Sequence, residues 1–161
     1  MLKRIFATEN DWAATFMRLT LGIVMFPHGA QKMLGWFGGY GFTGTMGFFT
    51  EQMGIPGIFA FLAIIAEFAG ALGLITGLLT RIAAFGIAAT MSVAILTSHL
   101  ANGFFMNWYG NQKGEGFEYH LLALGLAIAL IIRGGGAASA DQKIAKTSSF
   151  EKQNGKSKYE K

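Results

Sequence analysis

The stretch IPGIFAFLAIIAEFAGALGLITGLL, from Ile55 to Leu79, decides the fold, because it contains a single ionisable residue, Glu67. About 20 helical residues cross the hydrocarbon core of a bilayer, so this stretch is long enough to span a membrane. Three more apolar stretches follow the same pattern, although the last is short on its own: Trp12–Met33, Ile82–Leu100 and Phe117–Arg133. The sequence predicts an all-α membrane protein with a bundle of four transmembrane helices.

The composition agrees with a membrane protein. The chain has 161 residues, enough for one domain, and 52% of them are hydrophobic. Its mean hydropathy of +0.42 is too high for an ordinary soluble domain. The absence of cysteine excludes disulfides, thiolate catalysis and cysteine-bound zinc or iron–sulfur centres. The net charge of +4 does not indicate a nucleic-acid partner.

The positive charge is concentrated on one side of the predicted membrane. The segment 134–161 is rich in lysine and poor in apolar residues, which predicts a basic, disordered cytoplasmic tail after a transmembrane domain at 1–133. Lys3, Arg4 and Arg81 fall on the same side if four helices alternate in direction. The positive-inside rule then places both termini in the cytoplasm. The tail lysines are Lys143, Lys146, Lys152, Lys156, Lys158 and Lys161.

A segment rich in phenylalanine and glycine separates the first two spans. It covers Gly41–Gly54, and its one charged residue is Glu51. We expect a short interfacial helix or re-entrant cap on the outer face. Pro27 can kink the first span shortly before this segment and free backbone groups near His28.

Seven ionisable residues lie inside or at the rim of the hydrophobic segments. Charged groups in hydrocarbon are costly, so they usually face a bundle interior or a wet cavity and mark function. All three histidines of the chain are among them. The seven are Arg18, His28, Lys32, Glu67, His99, Glu118 and His120.

Two of these residues are predicted to form a buried pair. Arg18 lies roughly 9 Å into the first span at about 1.5 Å per residue, and Glu67 lies near the middle of the second. We expect an Arg18–Glu67 pair, which either holds two helices together or handles protons or ligands. His28 and Lys32 are four residues apart and share a helix face. That face fits a pocket lining, although Lys32 can equally extend to the outer headgroups.

We predict that the functional site lies in the outer half of the bundle. His28, His99, His120 and Glu118 should lie at one depth, at the outer ends of three helices. This set suits a metal ion, a haem iron, a proton relay or hydrogen bonds to quinone carbonyls. The spacing fits no sharp metal motif, so no metal ligands are assigned. A polar interfacial rim without a ligand is the simplest alternative.

Three motifs occur in order along residues 12–141: Arg18-Leu19-x-Leu21-Gly22 to His28-Gly29-x-x-Lys32, Glu67-x-x-Gly70 to Gly77-Leu78-x-Thr80-Arg81, and Gly134-x-Gly136-x-x-Ser139-x-Asp141. Together they resemble the DoxX family of small four-helix membrane proteins. The resemblance implies a four-helix bundle in the bacterial inner membrane and a link to respiratory redox chemistry, since relatives include subunits of thiosulfate:quinone oxidoreductases or quinol oxidases. It also implies that Arg18, His28, Lys32 and Glu67 form the polar core.

These observations support three hypotheses. The first is a quinone-linked oxidoreductase or its membrane subunit, in which the histidines hydrogen-bond a quinone and exchange protons. Glu67 or Glu118 would relay protons, and Arg18 and Lys32 would favour anions. The second is a membrane accessory subunit that recruits a soluble redox partner through its basic tail. The third is a small-solute transporter, which would require a homo-oligomer.

Overall fold

Helices account for all the regular secondary structure in residues 5–147, the part of the chain that the computed structural model describes. Within these residues the predicted all-α class is confirmed. Four short turns extend the helices: 3-10 turns at Trp36–Gly38 and Leu100–Asn102, and π-helical turns at Phe48–Gln52 and Ile95–His99. Residues 140–147 are also helical. The main helices are α1 Trp12–Leu34, α2 Gly41–Gly47, α3 Gly57–Thr76, α4 Thr80–Ala94 and α5 Glu118–Arg133.

Local sequence signals define where the helices begin and end. The side chain of Asp11 accepts hydrogen bonds from the amides of Ala13 and Ala14 at 2.9 and 3.3 Å and so caps the start of α1. Helix α1 ends at Gly35 and α3 ends at Gly77, with φ angles of 74° and 69°. Glycine adopts this left-handed conformation without a steric penalty, so both glycines terminate their helices.

The four long helices form a closed bundle. Helix α1 packs on α3, α3 on α4, α4 on α5, and α5 back on α1. The contact between α1 and α3 is the most extensive of these, and the contact between α1 and α5 is the least. The largest fully buried apolar side chains in the bundle are Leu21, Met25, Ile64, Leu74, Ile87 and Leu130.

Two glycines allow α1 and α3 to pack closely. A Cβ atom added at Gly29 would lie 2.6 Å from the backbone of Phe68, and one at Gly22 would lie 3.1 Å from the carbonyl oxygen of Ala71. Small residues at helix interfaces permit this close backbone approach. The contacts also fix the register of the antiparallel pair, since Gly29 is level with Phe68 and Gly22 is level with residues 71–75.

The number of membrane spans is resolved only in part. Two helical stretches, Gly57–Thr76 and Thr80–Asn102, are long and apolar enough to cross a membrane by length and composition. Helix α5 has 16 residues, fewer than the roughly 20 that a span needs. Helix α1 carries Arg18 and Lys32 along its length. The four-span arrangement therefore stays a prediction.

The predicted helix in the segment 41–54 is present. Helix α2 continues into the π-helical turn Phe48–Gln52 and packs against α1 and α3. Its position at a membrane surface stays a prediction.

Residues 134–147 are ordered, which corrects the predicted disordered tail over this part of 134–161. Ala137, Ser139 and Asp141 are at most 1% exposed. The polar composition of the segment did not predict this packing, because its buried contacts are hydrogen bonds and glycine contacts rather than apolar ones. Residues 1–4 and 148–161, which include Lys3, Arg4 and the last four tail lysines, lie outside the described residues.

Candidate functional site

Polar side chains gather at the two ends of the bundle. At one end, Arg18 and Asp141 lie where α3 meets α4, and we call this the Arg18 end. At the other end, His99 and His120 lie beside the loop between α4 and α5, and Lys32 pairs with Glu67 between α1 and α3; we call this the histidine end. The two ends use their polar groups differently.

Arg18 is a structural clamp. The residue is 3% exposed, and its guanidinium donates to backbone carbonyls from two segments. Nη1 donates to Leu74 and Ile75 at 2.9 and 2.7 Å, while Nε donates to Gly135 at 2.8 Å and Nη2 donates to Ala138 at 3.1 Å. The last carbonyls of a helix have no partner within it, so Arg18 satisfies the end of α3 and fastens the segment after α5 to it.

The predicted Arg18–Glu67 pair is wrong. Glu67 is level with Gly29, whereas Arg18 lies four residues before Gly22, near the end of α3. The eleven residues from Arg18 to Gly29 correspond to roughly 16 Å along the helix axis, more than an arginine side chain can cover. The depth argument was correct to place both residues in the bundle, but it did not include the helix register.

Asp141 caps α4 from a distant part of the chain. Its Oδ1 accepts from the amide of Leu79 at 2.7 Å and its Oδ2 accepts from the amide of Thr80 at 2.9 Å. Its own amide donates to the carbonyl of Gly77 at 2.9 Å. The first amides of a helix need acceptors, and a carboxylate there is favourable. The third motif therefore closes the Arg18 end of the bundle.

Lys32 and Glu67 form an ion pair at the histidine end. Lys32 Nζ lies 2.6 Å from Glu67 Oε2, and the side chains are 26% and 4% exposed. The close contact at Gly29 holds α1 against α3 at this level. Glu67 therefore has a partner from the predicted polar core, but the partner is Lys32.

His99, in the turn after α4, and His120 on α5 lie with their rings in close, tilted contact. Their ring centroids are 4.0 Å apart, with an angle of 40° between the planes. His99 is the last residue of the π-helical turn Ile95–His99, and such turns are frequent at functional sites. His120 is 7% exposed, and its Nδ1 has no hydrogen-bond partner. A buried imidazole nitrogen without a partner is costly, which makes this pair the clearest candidate for ligand contact.

His28 lies at the seam between α1 and α5, opposite Tyr119. The two ring centroids are 6.2 Å apart. Tyr119 also lies 5.5 Å from the His120 ring, and its hydroxyl donates to Met25 Sδ at 3.5 Å. His28 is exposed, unlike His120. Tyr119 was not predicted, although its place between two polar residues at the start of α5 was a usable signal.

We name the six residues that meet here the histidine-end cluster. Its two halves adjoin, since His28 and Lys32 are one helical turn apart on α1 and Tyr119 neighbours both His28 and His120. The three histidines, which were predicted only to share one depth, thus lie at the same end of the bundle, with Tyr119 beside both His28 and His120. The cluster consists of His28, Lys32, Glu67, His99, Tyr119 and His120.

Glu118 binds the adjacent loop and is not part of the cluster. Its Oε1 accepts hydrogen bonds from the amide of Met106 at 2.8 Å and from Trp108 Nε1 at 3.1 Å. Glu118 and His120 are two residues apart and point in different directions from α5. The predicted proton-relay role of Glu118 has no geometric support here.

The described residues contain no group of three or more histidine, cysteine, aspartate or glutamate side chains arranged to hold a metal ion. The cluster instead offers imidazole nitrogens, a tyrosine hydroxyl and an ion pair next to aromatic rings. Such a set can hydrogen-bond a flat polar head group and exchange protons with it.

A family comparison covers the first part of this arrangement. The sequence profile of the DoxX family matches residues 13–100, from α1 to the turn that carries His99. The chain belongs to the DoxX family. The matched region contains Arg18, Lys32, Glu67 and His99, but it ends before His120. His120, the second histidine of the pair, therefore lies beyond the matched residues of this DoxX chain.

Two curated relatives are similar over most of their length. A protein of Bacillus subtilis (strain 168) named "Putative oxidoreductase CatD" is 32% identical over 114 residues, which are 71% of this chain and 75% of the relative. A protein of Escherichia coli (strain K12) named "Inner membrane protein YqjF" is 34% identical over 112 residues, which are 70% of this chain and 81% of the relative. No solved structure matches the chain.

The motifs of the DoxX resemblance divide between the two ends of the bundle. At the Arg18 end, Arg18 and Asp141 bind backbone groups, and the amide of Thr80 is one of the groups that Asp141 caps. Lys32 and Glu67 lie in the histidine-end cluster. In this DoxX chain, part of the motif pattern therefore maintains the fold, and part lies where a ligand can bind.

Proposed function

We propose that this chain is a multi-pass protein of the bacterial inner membrane, in which α1, α3, α4 and α5 cross the bilayer. Each of these helices exposes large apolar side chains, and such surfaces are rare on soluble monomers. The name of the Escherichia coli relative supports the location. Examples of these exposed residues are Phe16, Phe59, Phe85 and Leu122.

The charges support an orientation with the Arg18 end in the cytoplasm. The Arg18 end carries Arg81, Arg133, Lys143 and Lys146, whereas the histidine end carries Lys113 on its loop and Lys32 at the end of α1. Because the chain has no cysteine, single cysteines introduced at Asn111 and Lys146 report the topology against a clean background. An impermeant maleimide added to intact spheroplasts should label N111C and spare K146C. The reverse pattern, or equal labelling, would contradict the proposed topology.

Within that membrane protein, we propose that the histidine-end cluster binds the head group of a quinone, either as an oxidoreductase or as its membrane subunit. The observation that carries this proposal is the His99–His120 pair with its unpartnered buried nitrogen on His120. The word oxidoreductase in the name of the Bacillus subtilis relative favours redox chemistry.

Access from the lipid supports a quinone over a water-soluble ligand. His28 is exposed, and it lies at the α1–α5 seam, which is the least extensively packed side of the bundle. Tyr119 faces the same seam from α5. A lipid-soluble head group can therefore approach the cluster from the side.

The residues of the cluster have separate tasks in this proposal. A bound quinone supplies two-electron, two-proton redox chemistry. His99 and His120 hydrogen-bond the head group and hold protons at their ring nitrogens, and the phenol ring of Tyr119 packs beside it. The Lys32–Glu67 pair places a fixed positive and a fixed negative charge next to the imidazoles.

The first test is chemical analysis of protein purified in a mild detergent. Quinone should be extracted in a near-stoichiometric amount from the wild type and should be depleted in His120→Phe. Asn111→Ala is the matched control, because Asn111 is exposed in the neighbouring loop. Wild-type protein that carries no quinone and also fails to bind an added short-chain quinone would contradict the proposal.

A second candidate function is a membrane accessory subunit that recruits a soluble redox partner. Lys143 and Lys146 are exposed on the helical segment 140–147, which Asp141 fastens to the bundle. A basic surface in a fixed position suits an acidic partner or anionic lipid. Deleting the residues after Asp141 should abolish recruitment and leave quinone binding intact. Unchanged recruitment would exclude this role for the segment.

A further inference from the structure

The loop between α4 and α5 has a defined structure. Three backbone hydrogen bonds join its two arms: Gly116 to Phe105 at 3.2 Å, Phe117 to Gly103 at 3.2 Å, and Glu118 to Phe104 at 2.9 Å. Two carboxylates close the tip of the loop, since Glu115 accepts from the amide of Asn107 at 2.7 Å and Glu118 binds Met106 and Trp108. The loop therefore holds its backbone in a fixed position above the histidine pair.

One carbonyl of this loop contacts His99. The oxygen of Glu115 lies 2.9 Å from His99 Nδ1, and it also accepts a hydrogen bond from Asn102 Nδ2 at 3.1 Å. Asn102 Nδ2 donates in addition to the carbonyl of Ser98 at 3.2 Å. Asn102 thus ties the Glu115 carbonyl to the turn that carries His99.

Two glycines make this contact possible. A Cβ atom at Gly116 would lie 2.3 Å from the carbonyl oxygen of Phe105, and one at Gly114 would lie 2.7 Å from Asn102 Nδ2. A side chain at Gly116 would have to displace the backbone, whereas a side chain at Gly114 would have to displace the Asn102 side chain. The sequence of the loop is therefore matched to the Asn102–Glu115 contact.

The chemistry of the contact determines the tautomer of His99. A carbonyl oxygen only accepts hydrogen bonds, so Nδ1 of His99 must carry the proton that it shares with Glu115. In a neutral imidazole the other nitrogen, Nε2, then carries a lone pair and acts as an acceptor. Within residues 5–147, Nε2 of His99 has no hydrogen-bond donor directed at it.

We infer that Asn102 and the Glu115 carbonyl are a positioning pair that makes His99 Nε2 the hydrogen-bond acceptor of the histidine-end cluster. The ligand form that this acceptor selects is the one that presents a hydroxyl group, namely the reduced diphenol. The choice of ligand rests on the proposed function, but the tautomer does not. Asn102 acts through the loop and His99, and it does not touch the ligand itself.

The tautomer can be measured without any ligand. The chain has three histidines, so ¹⁵N-histidine labelling gives a small set of signals, which the variants His28→Gln, His99→Gln and His120→Gln assign. We expect the neutral Nδ1–H form for His99 in the wild-type protein in detergent. A predominant Nε2–H form would overturn the inference.

Two variants separate positioning from simple structural support. Asn102→Ala should let the second tautomer of His99 appear and weaken binding of a short-chain quinol by about three- to tenfold, the effect of one neutral hydrogen bond. Asn111→Ala, in the same loop, should change neither quantity. His99→Asn retains an N–H group for the Glu115 carbonyl but has no acceptor at the Nε2 position, so quinol binding should be lost.

The outcomes distinguish this inference from the proposed function. Wild-type affinity for quinol in His99→Asn, or an unchanged tautomer in Asn102→Ala, would overturn the positioning role. If His99 shows the Nδ1–H form but the wild-type protein binds neither quinone nor quinol, the positioning pair stands and the proposed function fails.

Discussion

Lys32 on α1 and Glu67 on α3 form an ion pair of 2.6 Å at the level where Gly29 brings the two helix backbones together. The pair is level with this close α1–α3 contact, and Lys32 lies one helical turn from His28 on α1. The pair therefore connects the stability of the fold with the electrostatics of the candidate site.

Removing one partner of this pair should be more harmful than removing both. Glu67→Leu leaves the ammonium of Lys32 without its partner and should cost up to about 3 kcal/mol, at the low end for buried pairs because Lys32 is partly exposed. The double variant Lys32→Met, Glu67→Leu should lie within about 1 kcal/mol of the wild type. Denaturant unfolding in detergent measures both. A double variant less stable than Glu67→Leu would contradict the pairing.

A methyl group at Gly29 should separate α1 from α3. Its Cβ atom would lie 2.6 Å from the Phe68 backbone, so Gly29→Ala should destabilise the protein by about 1–3 kcal/mol, as overpacked cores do. The matched control is Gly125→Ala in α5, where no atom lies within 4 Å of the added Cβ. That variant should be neutral or slightly stabilising, because alanine favours helices. Equal effects of the two substitutions would contradict the register described here.

The clamp should require arginine at position 18. Lysine preserves the charge but cannot reach carbonyls of both α3 and the segment after α5 from one planar group. Arg18→Lys should therefore cost about 1–3 kcal/mol for buried carbonyls left without donors, and it should open residues 134–147 to proteolysis. Quinone binding at the distant histidine end should be unchanged in the protein that remains folded. Loss of binding with full stability would assign Arg18 to the site instead.

The stabilisation of α1 by its Asp11 cap should weaken at acid pH. Desolvation acts against ionisation of Asp11, but hydrogen bonds from the amides of Ala14 and Ala13 and from Arg133 outweigh it, so the pKa of Asp11 is lowered. Because the pKa of Asp11 is lower in the folded state, its carboxylate stabilises the fold at pH values above the unfolded-state pKa, about 3.9 for aspartate. This stabilisation is lost as the pH falls through the folded-state pKa.

The stability difference between the wild type and Asp11→Asn tests this pH dependence. The difference should be constant at pH 5 and above and should shrink as the pH falls below about 4. Thermal unfolding in detergent across that range measures it. A difference that grows towards acid pH would have the wrong sign for a carboxylate cap.

Periodicity and hydropathy were enough to predict the helices of the bundle, because each apolar stretch has one physical solution in lipid. They were also enough to place His99 and His120 at one level. The partner of Glu67 could not be predicted, because it depends on the register that Gly22 and Gly29 impose on α1 and α3.

The polar contacts at the two ends of the bundle could not be predicted from the sequence either. Arg18 and Asp141 bind backbone groups, and the amino-acid sequence does not indicate which backbone groups a side chain will bind. The same is true of Asn102 and the Glu115 carbonyl beside His99. Hydrogen bonds of this kind depend on the path of the chain, so only the three-dimensional structure reveals them.

The most direct test of the central claim is photolabelling with an azido-quinone in reconstituted membranes, followed by peptide mapping. The proposal predicts label on the peptides that carry His28, His99 and His120, and loss of that label when an excess of unmodified quinone competes. Label spread over the lipid-facing residues of all helices and insensitive to competition would contradict a quinone site at the histidine end.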